Sequence, residues 1–137
     1  MNETEESVVN FGQGAGIAIA DIDGIGQPDL VVFDEPTTGL DAEETARMMR
    51  MIQQLNQQGH TIVMITHTMW LVAEFSTLCV LLRKGQLIAD GPTREIFSDP
   101  ALLQSTALEL PSITRFSQRW GVTLLTVDEV RAGLREV

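Results

Sequence analysis

Leu30-Val-Val-Phe-Asp-Glu-Pro-Thr-Thr-Gly-Leu-Asp41 is the stretch of this chain in which residue types and spacing best fit chemistry. Two adjacent carboxylates, Asp34 and Glu35, follow directly on an apolar run. An acid in that position stands at the carboxyl edge of a sheet, where the ligand sites of open α/β folds collect. Asp34 suits a magnesium ion, held usually through water, and Glu35 suits acceptance of a proton from an attacking water. Pro36 fixes the direction of exit, and Thr37-Thr38-Gly39 lead to Asp41, whose spacing to Glu44 makes it a helix cap as well as a candidate for the site. His67 closes a second apolar run and reaches the same edge when the two strands are parallel neighbours. An imidazole there can contact a terminal phosphate or orient a hydrolytic water. The same residues also fit a plainer arrangement, a polar strand end with a local cap and a histidine that is only a loop residue. His60, at the opposite end of its strand, reads as structural.

Residues 30–33 show no polar alternation, which implies a strand buried on both faces, as at the centre of a parallel sheet. Asp41 and Glu44 form a capping box for a helix over 42–58. Ala46, Met49, Ile52 and Leu55 supply its buried stripe, and Gly59 its stop. Residues 61–66 form a second apolar strand, and strand, helix, strand at this length is a right-handed parallel unit. A helix over 69–76 and a strand over 78–82 follow. Arg83-Lys-Gly-Gln86 turns that strand into Leu87-Ile-Ala89, a hairpin with Gly85 at a positive dihedral. Beyond Gly91 the pattern gives helices over 93–98, 101–107 and 113–120, the last with Ile113, Phe116 and Trp120 on one face. Thr126 with Glu129 makes a second capping box, opening a final helix through Val127, Val130 and Leu134.

The front of the chain is different. Residues 1–10 open with Glu3, Glu5 and Glu6 and read as a solvated terminus. Gly12, Gly14, Gly16, Gly24 and Gly26 make residues 12–28 too glycine-rich for a helix, so strand and tight loop are expected there. The 137 residues are 44% apolar, enough for a real core. A formal charge of −10, with nine Lys and Arg scattered along the chain, disfavours nucleic acid as a partner. The single cysteine, Cys79, lies in an apolar run and reads as a buried, inert thiol suited to a reducing cytoplasm. No leader pattern opens the chain, and no apolar run reaches the length of a bilayer span, so no direct membrane insertion is expected.

Leu30 to Asp41 followed by Thr66-His67 resembles the second half of the nucleotide-binding domain of ABC transporter ATPases. That resemblance implies a magnesium-associated carboxylate at Asp34, a catalytic base at Glu35, a loop at Gly39-Leu40-Asp41 that meets the nucleotide across a dimer interface, and a switch histidine at His67. Leu81-Leu-Arg-Lys-Gly-Gln-Leu-Ile-Ala-Asp-Gly91, Glu95-Ile-Phe-Ser-Asp-Pro100 and the tail from Leu108 to Gly121 look like the cobalt and vitamin-uptake branch, the energy-coupling-factor ATPases. The implied fold is α/β, a partial P-loop NTPase-like parallel sheet with flanking helices and a small helical C-terminal appendage. The implied layout is an acidic, glycine-rich segment at 1–27, the C-terminal half of the nucleotide-binding domain at 28–90 and the appendage at 91–137. ATP and Mg2+ are the implied cofactors, with a transporter membrane subunit and a second ATPase chain, or the missing N-terminal half, as partners. The implied place is the cytoplasm, peripheral to the inner face of the cell membrane. The implied function is the ATP-binding and ATP-hydrolysing component of a metal-ion or vitamin uptake transporter, truncated and inactive alone.

No Gly-x-x-x-x-Gly-Lys-Ser/Thr occurs in these residues, so neither the nest of amides that cradles phosphates nor its lysine is present. The family signature Leu-Ser-Gly-Gly-Gln has its nearest match in Val9-Asn-Phe-Gly-Gln13, which departs from it at Asn10 and Phe11. Without the rest of the sheet, the strand at 30–33 is expected to show an open edge. A non-catalytic interaction or regulatory subunit that docks through such an edge is the alternative function. Phe11 to Val32 also resembles one FG-GAP repeat of the integrin-type propeller family, which implies a Ca2+ loop at Asp21, Asp23 and Asp29. Ile25 stands where that pattern has a further aspartate, and a plain turn fits the same residues.

Overall fold

A computed structural model describes residues 7–10, 16–20, 29–106 and 108–135. The chain divides into two compact units, Met1–Thr66 and His67–Val137.

In the first unit, Leu30–Asp34 (β3) and Thr61–Ile65 (β4) pair in parallel, from Leu30 opposite Thr61 to Asp34 opposite Ile65. The helix between them, Ala42–Gln57 (α1), starts where the sequence says it should. Asp41 Oδ1 accepts the Glu44 N–H at 2.9 Å, and Glu44 Oε2 accepts the Asp41 N–H at 3.0 Å. The helix stops at Gly59, whose φ of 103° a side chain would resist. Its buried residues are Thr45, Met49 and Ile52. Thr45 thus takes the inward place expected of Ala46, because positions 45, 49 and 52 lie closer to one line on a 3.6-residue helix.

Two expectations for β3 are overturned. Its free edge is taken by Gly16–Ala20 (β2), which runs antiparallel to it from Gly16 opposite Asp34 to Ala20 opposite Leu30. Ser7–Asn10 (β1) continues the sheet beyond β2, giving the order β1-β2-β3-β4. The isoleucines of Gly16-Ile-Ala-Ile-Ala20 supply strand-forming residues that outweigh the flanking glycines. β3 is also buried on one face only. Val31 and Phe33 are buried, and their register partners Ile62 and Met64 are half-buried on the same face. On the other face, Val63 is 42% and Ile65 52% exposed. α1, the one helix of this unit among the described residues, packs against β4, and one helix covers one face.

In the second unit, Met69–Phe75 (α2) leads into the antiparallel hairpin of Leu78–Arg83 (β5) and Gln86–Pro92 (β6). Lys84 and Gly85 both have positive φ, 49° and 76°, the two-residue turn that matches the twist of the strands. β6 runs past Ala89 to Pro92, since the pairing persists to Leu78 opposite Pro92. Thr93–Phe97 (α3), Pro100–Ser105 (α4), Ser112–Ser117 (α5) and Val127–Arg135 (α6) complete the unit. The core joins Met69, Val72 and Ala73 of α2, Cys79 and Leu81 of β5, Ile96 and Phe97 of α3, Leu103 of α4, and Leu125. Cys79 is buried, and burial pushes its thiol pKa up, as an inert core residue requires.

α5 differs from its expected orientation. Thr114 and Ser117 are the buried residues, while Phe116 and Trp120 stack edge to face outside, 53% and 64% exposed. Hydrogen bonds turn the helix this way. Ser117 Oγ accepts the Leu124 N–H at 3.0 Å, and Gln118 Nε2 donates to the Phe97 carbonyl at 2.7 Å. The predicted single helix over 113–120 is α5 followed by a 3₁₀ turn at Gln118–Trp120, closed by Gly121 in the left-handed region. At the start of α6, Thr126 Oγ1 accepts the Glu129 N–H at 3.2 Å, and Glu129 reaches back to the Leu125 N–H at 2.8 Å. The half of the box expected on Thr126 is therefore extended one residue farther. Arg94 of α3 donates to Glu129 Oε1 and to the Thr123 carbonyl, tying α3 to α6.

Candidate functional site

The parallel register places Asp34 and Ile65 side by side at the carboxyl edge of β3 and β4. Asp34 is exposed there. Glu35, the next residue, has φ 47°, a left-handed conformation that costs a non-glycine residue energy. Two backbone hydrogen bonds hold it. Its N–H donates to the Ile65 carbonyl of β4 at 2.8 Å, and its carbonyl accepts the Thr38 N–H at 3.1 Å. The first bond continues the β3–β4 ladder past the strand end, and the second closes the turn through buried Pro36. The Glu35 side chain is thereby directed along the sheet edge, where Thr66 Oγ1 donates to its Oε2 at 3.5 Å.

The loop then tightens again, with the Leu40 N–H donating to the Thr37 carbonyl at 3.2 Å and Gly39 at φ 79°. Asp41 ends it, exposed, with one carboxylate oxygen engaged in the cap of α1. His67 is exposed, follows Thr66 directly in the chain and opens the second unit. Of the calcium candidates, Asp21 and Asp23 lie outside the described residues. Asp29 sits at a bend before β3, its carbonyl accepting the Thr61 N–H at 2.8 Å.

Among the described residues no three His, Cys, Asp or Glu side chains converge in a group able to hold a metal by themselves. The adjacent acids Asp34 and Glu35 are the kind of donor that magnesium takes, one or two carboxylates together with waters and substrate phosphates. Thr66 is the residue of this edge that sequence reasoning missed. The signal was available, because register pairing of residues 34 and 65 brings residue 66 beside residue 35.

A parallel strand–helix–strand unit is an α/β arrangement, in which ligand sites collect at the carboxyl edge of the sheet. Comparison with known proteins narrows the class. No protein-family model matches the chain. A protein of Caldanaerobacter subterraneus, provisionally named an ABC transporter ATP-binding protein, is 43% identical over 119 residues, 87% of this chain and 21% of that protein. The energy-coupling factor transporter ATP-binding protein of Lacticaseibacillus paracasei is 42% identical over 109 residues, 79% of this chain and 38% of its own length. That of Methanococcus maripaludis is 36% identical over 132 residues, 91% of this chain and 47% of its own length.

Over most of its length the chain is thus similar to part of ABC transporter ATP-binding proteins, two of which are named for the energy-coupling-factor type. The chain spans between about a fifth and a half of the length of these relatives. Residues 28–137 make up about 80% of the chain, so a match covering 91% reaches into the segment before residue 28. The glycine-rich segment is thus partly inside the similarity, and none of these relatives carries support for an FG-GAP repeat. Among the described residues no helix is long and apolar enough to cross a membrane.

Proposed function

We propose that these residues form the carboxylate-and-histidine part of an ATP-hydrolysing site in the ATP-binding component of a metal-ion or vitamin uptake transporter. The observation that carries this reading is the placement of Asp34 and Glu35 at the carboxyl edge of a parallel pair, with Glu35 held in a strained backbone conformation. Strain of that kind persists where surrounding bonds enforce it, and it collects at functional sites. Asp34 would hold a magnesium ion, which would neutralise charge on the phosphates. Glu35 accepts the proton of the attacking water at a carboxylate oxygen, while Thr66 keeps the other oxygen turned toward β4. His67 would donate to the terminal phosphate, and Asp41 would contribute to nucleotide binding across a dimer interface. The membrane subunit and a second ATPase chain are the partners, at the inner face of the cell membrane.

The 137 residues contain no phosphate loop, so weak or absent nucleotide binding is expected of them alone. Calorimetric titration with magnesium-ATP tests this. Micromolar affinity that disappears in Asp34→Asn would show that these residues bind nucleotide without a phosphate loop, against the reading. In an assembly that also contains a phosphate loop, Glu35→Gln should lower kcat by roughly 10²- to 10⁴-fold, the range for loss of a general base, and leave nucleotide binding in place. Unchanged hydrolysis would remove Glu35 from its role. The non-catalytic docking function is favoured by one observation, the exposed apolar residues Val63 and Ile65 on the outermost strand.

A further inference from the structure

α6 buries none of its residues, and its apolar Val127 and Leu134 are 55% and 71% exposed. No core therefore holds this helix. Its nine residues fall short of the roughly 12–15 that an isolated helix needs in water, and Gly133 inside it lowers its stability further. The side-chain bonds that tie it to the rest of the second unit converge on one carboxylate. Glu129 Oε1 accepts from Arg94 Nη2, and Glu129 Oε2 accepts the Leu125 N–H at 2.8 Å. The Glu129 N–H donates in turn to Thr126 Oγ1 at 3.2 Å. The other end of this clasp is firm, because Arg94 stands on α3, whose Ile96 and Phe97 belong to the core, and its Nη1 also donates to the Thr123 carbonyl.

The residues just before α6 have anchors of their own. Leu125 is buried, the Leu124 N–H donates to Ser117 Oγ at 3.0 Å, and Ser98 Oγ donates to Thr123 Oγ1 at 3.1 Å. Thr126 thus marks the boundary between a docked segment and a helix tied only through its first turn. We infer that α6 is a detachable latch, helical while ionised Glu129 is bound to Arg94 and locally unfolded from Thr126 onward when either charge is lost, with the rest of the second unit left in place. Arg94 is the charged side chain of another element that pairs with Glu129. Within α6, Asp128 and Arg131 pair with each other at 3.4 Å, but their side chains are 89% and 71% exposed and such a pair adds little. Burial raises the Glu129 pKa, and the bonds from Arg94 and the backbone outweigh it and keep the carboxyl below 4.5. The clasp is therefore complete above pH 4.5 and opens as pH falls through the lower folded value. Opening of one segment below the free energy of global unfolding is read in its own amides.

The test is native-state hydrogen exchange of the whole 137-residue chain, expressed as protection factors so that the pH dependence of exchange itself cancels. At pH 6 the amides of residues 131–135 should be protected. Glu129→Ala removes the bonds to Arg94 and Leu125, and Arg94→Met keeps the length of the side chain but none of its donors. Each should lower that protection by about fivefold or more, while the amides of β5 and β6 change by less than about twofold. Arg131→Gln, which breaks only the exposed pair inside α6, should cost less than about twofold. In the unsubstituted chain α6 protection should decline from pH 5 to pH 3 ahead of β5 and β6, and in Glu129→Ala it should be low and flat over that range. Glu129→Ala keeps the test open if Arg94→Met does not fold. An α6 without protection in the unsubstituted chain, or one that keeps its protection in both clasp variants, overturns the inference. Loss of protection in β5 and β6 in step with α6 overturns it too, since the helix would then belong to the cooperative core.

Discussion

Glu35 offers a test in which the usual order of two substitutions reverses. At an ordinary extended or helical position, glycine is about 0.5–1 kcal/mol less stable than alanine because it loses more backbone freedom on folding. At φ 47° alanine keeps a left-handed penalty of roughly 1–2 kcal/mol that glycine does not pay. The difference makes Glu35→Gly more stable than Glu35→Ala by about 0.5–1 kcal/mol. Both variants lose the contact with Thr66, which at 3.5 Å is worth a few tenths of a kcal/mol at most and cancels in the comparison. Trp70 and Trp120 both lie in the second unit, so tryptophan fluorescence would report on the wrong half of the chain. Native-state hydrogen exchange at the amides of β3 and β4 reads the first unit directly, and the expected gap is a few-fold in protection. Equal protection, or greater protection in Glu35→Ala, would refute the claim that the turn is strained.

Three further outcomes follow from other parts of the structure. Lys84→Asn should stabilise the hairpin by a few tenths of a kcal/mol to about 1, because asparagine tolerates the positive φ that Lys84 adopts. Thermal unfolding followed at Trp70 and Trp120 checks it. Asp41→Ala removes the side-chain half of the α1 capping box and should cost about 1 kcal/mol, read as faster exchange in the first turn of α1. Burial raises the pKa of Glu129, but the bonds from Arg94 and the backbone N–H groups outweigh it and hold the carboxyl below its ordinary 4.5. The folded state therefore releases this proton more readily than the unfolded one. The stability so gained is full above pH 4.5 and is lost as pH falls through the lower folded value. Denaturant titrations of Glu129→Gln across pH 3 to 6 should show a shallower acid slope than the unsubstituted chain.

The elements that local chemistry determines were legible in the sequence. The capping box at Asp41 and Glu44 marks the start of α1 to the residue, and Lys84-Gly85 marks the turn of the second-unit hairpin. The parallel pairing of β3 with β4 followed from the length of the connection. What escaped depends on residues far apart in the chain. Nothing in Leu30-Val-Val-Phe33 tells that, among the described residues of the first unit, one helix packs on the sheet, whereas a continuous apolar run by itself implies burial on both faces. Nothing in the glycine-rich segment tells that Gly16–Ala20 pairs with β3. Phe116 and Trp120 carry the stronger apolar signal on α5, yet Ser117 and Gln118 turn that helix through bonds to Leu124 and Phe97. At the candidate site, types and spacing singled out Asp34, Glu35, Asp41 and His67. The backbone strain at Glu35 and its neighbour Thr66 became visible only with the register.

The antiparallel pairing of β2 with β3 has a consequence for how the chain is made. β1, β2 and β3 form a meander whose strands are close in sequence, and such local pairing closes faster than a crossover. β4 ends 31 residues after β3, which at a ribosome's pace of roughly 5–20 residues per second is a delay of about 2–6 s. During that interval one side of Leu30-Val-Val-Phe33 already has a partner, so this apolar strand leaves the ribosome half-shielded.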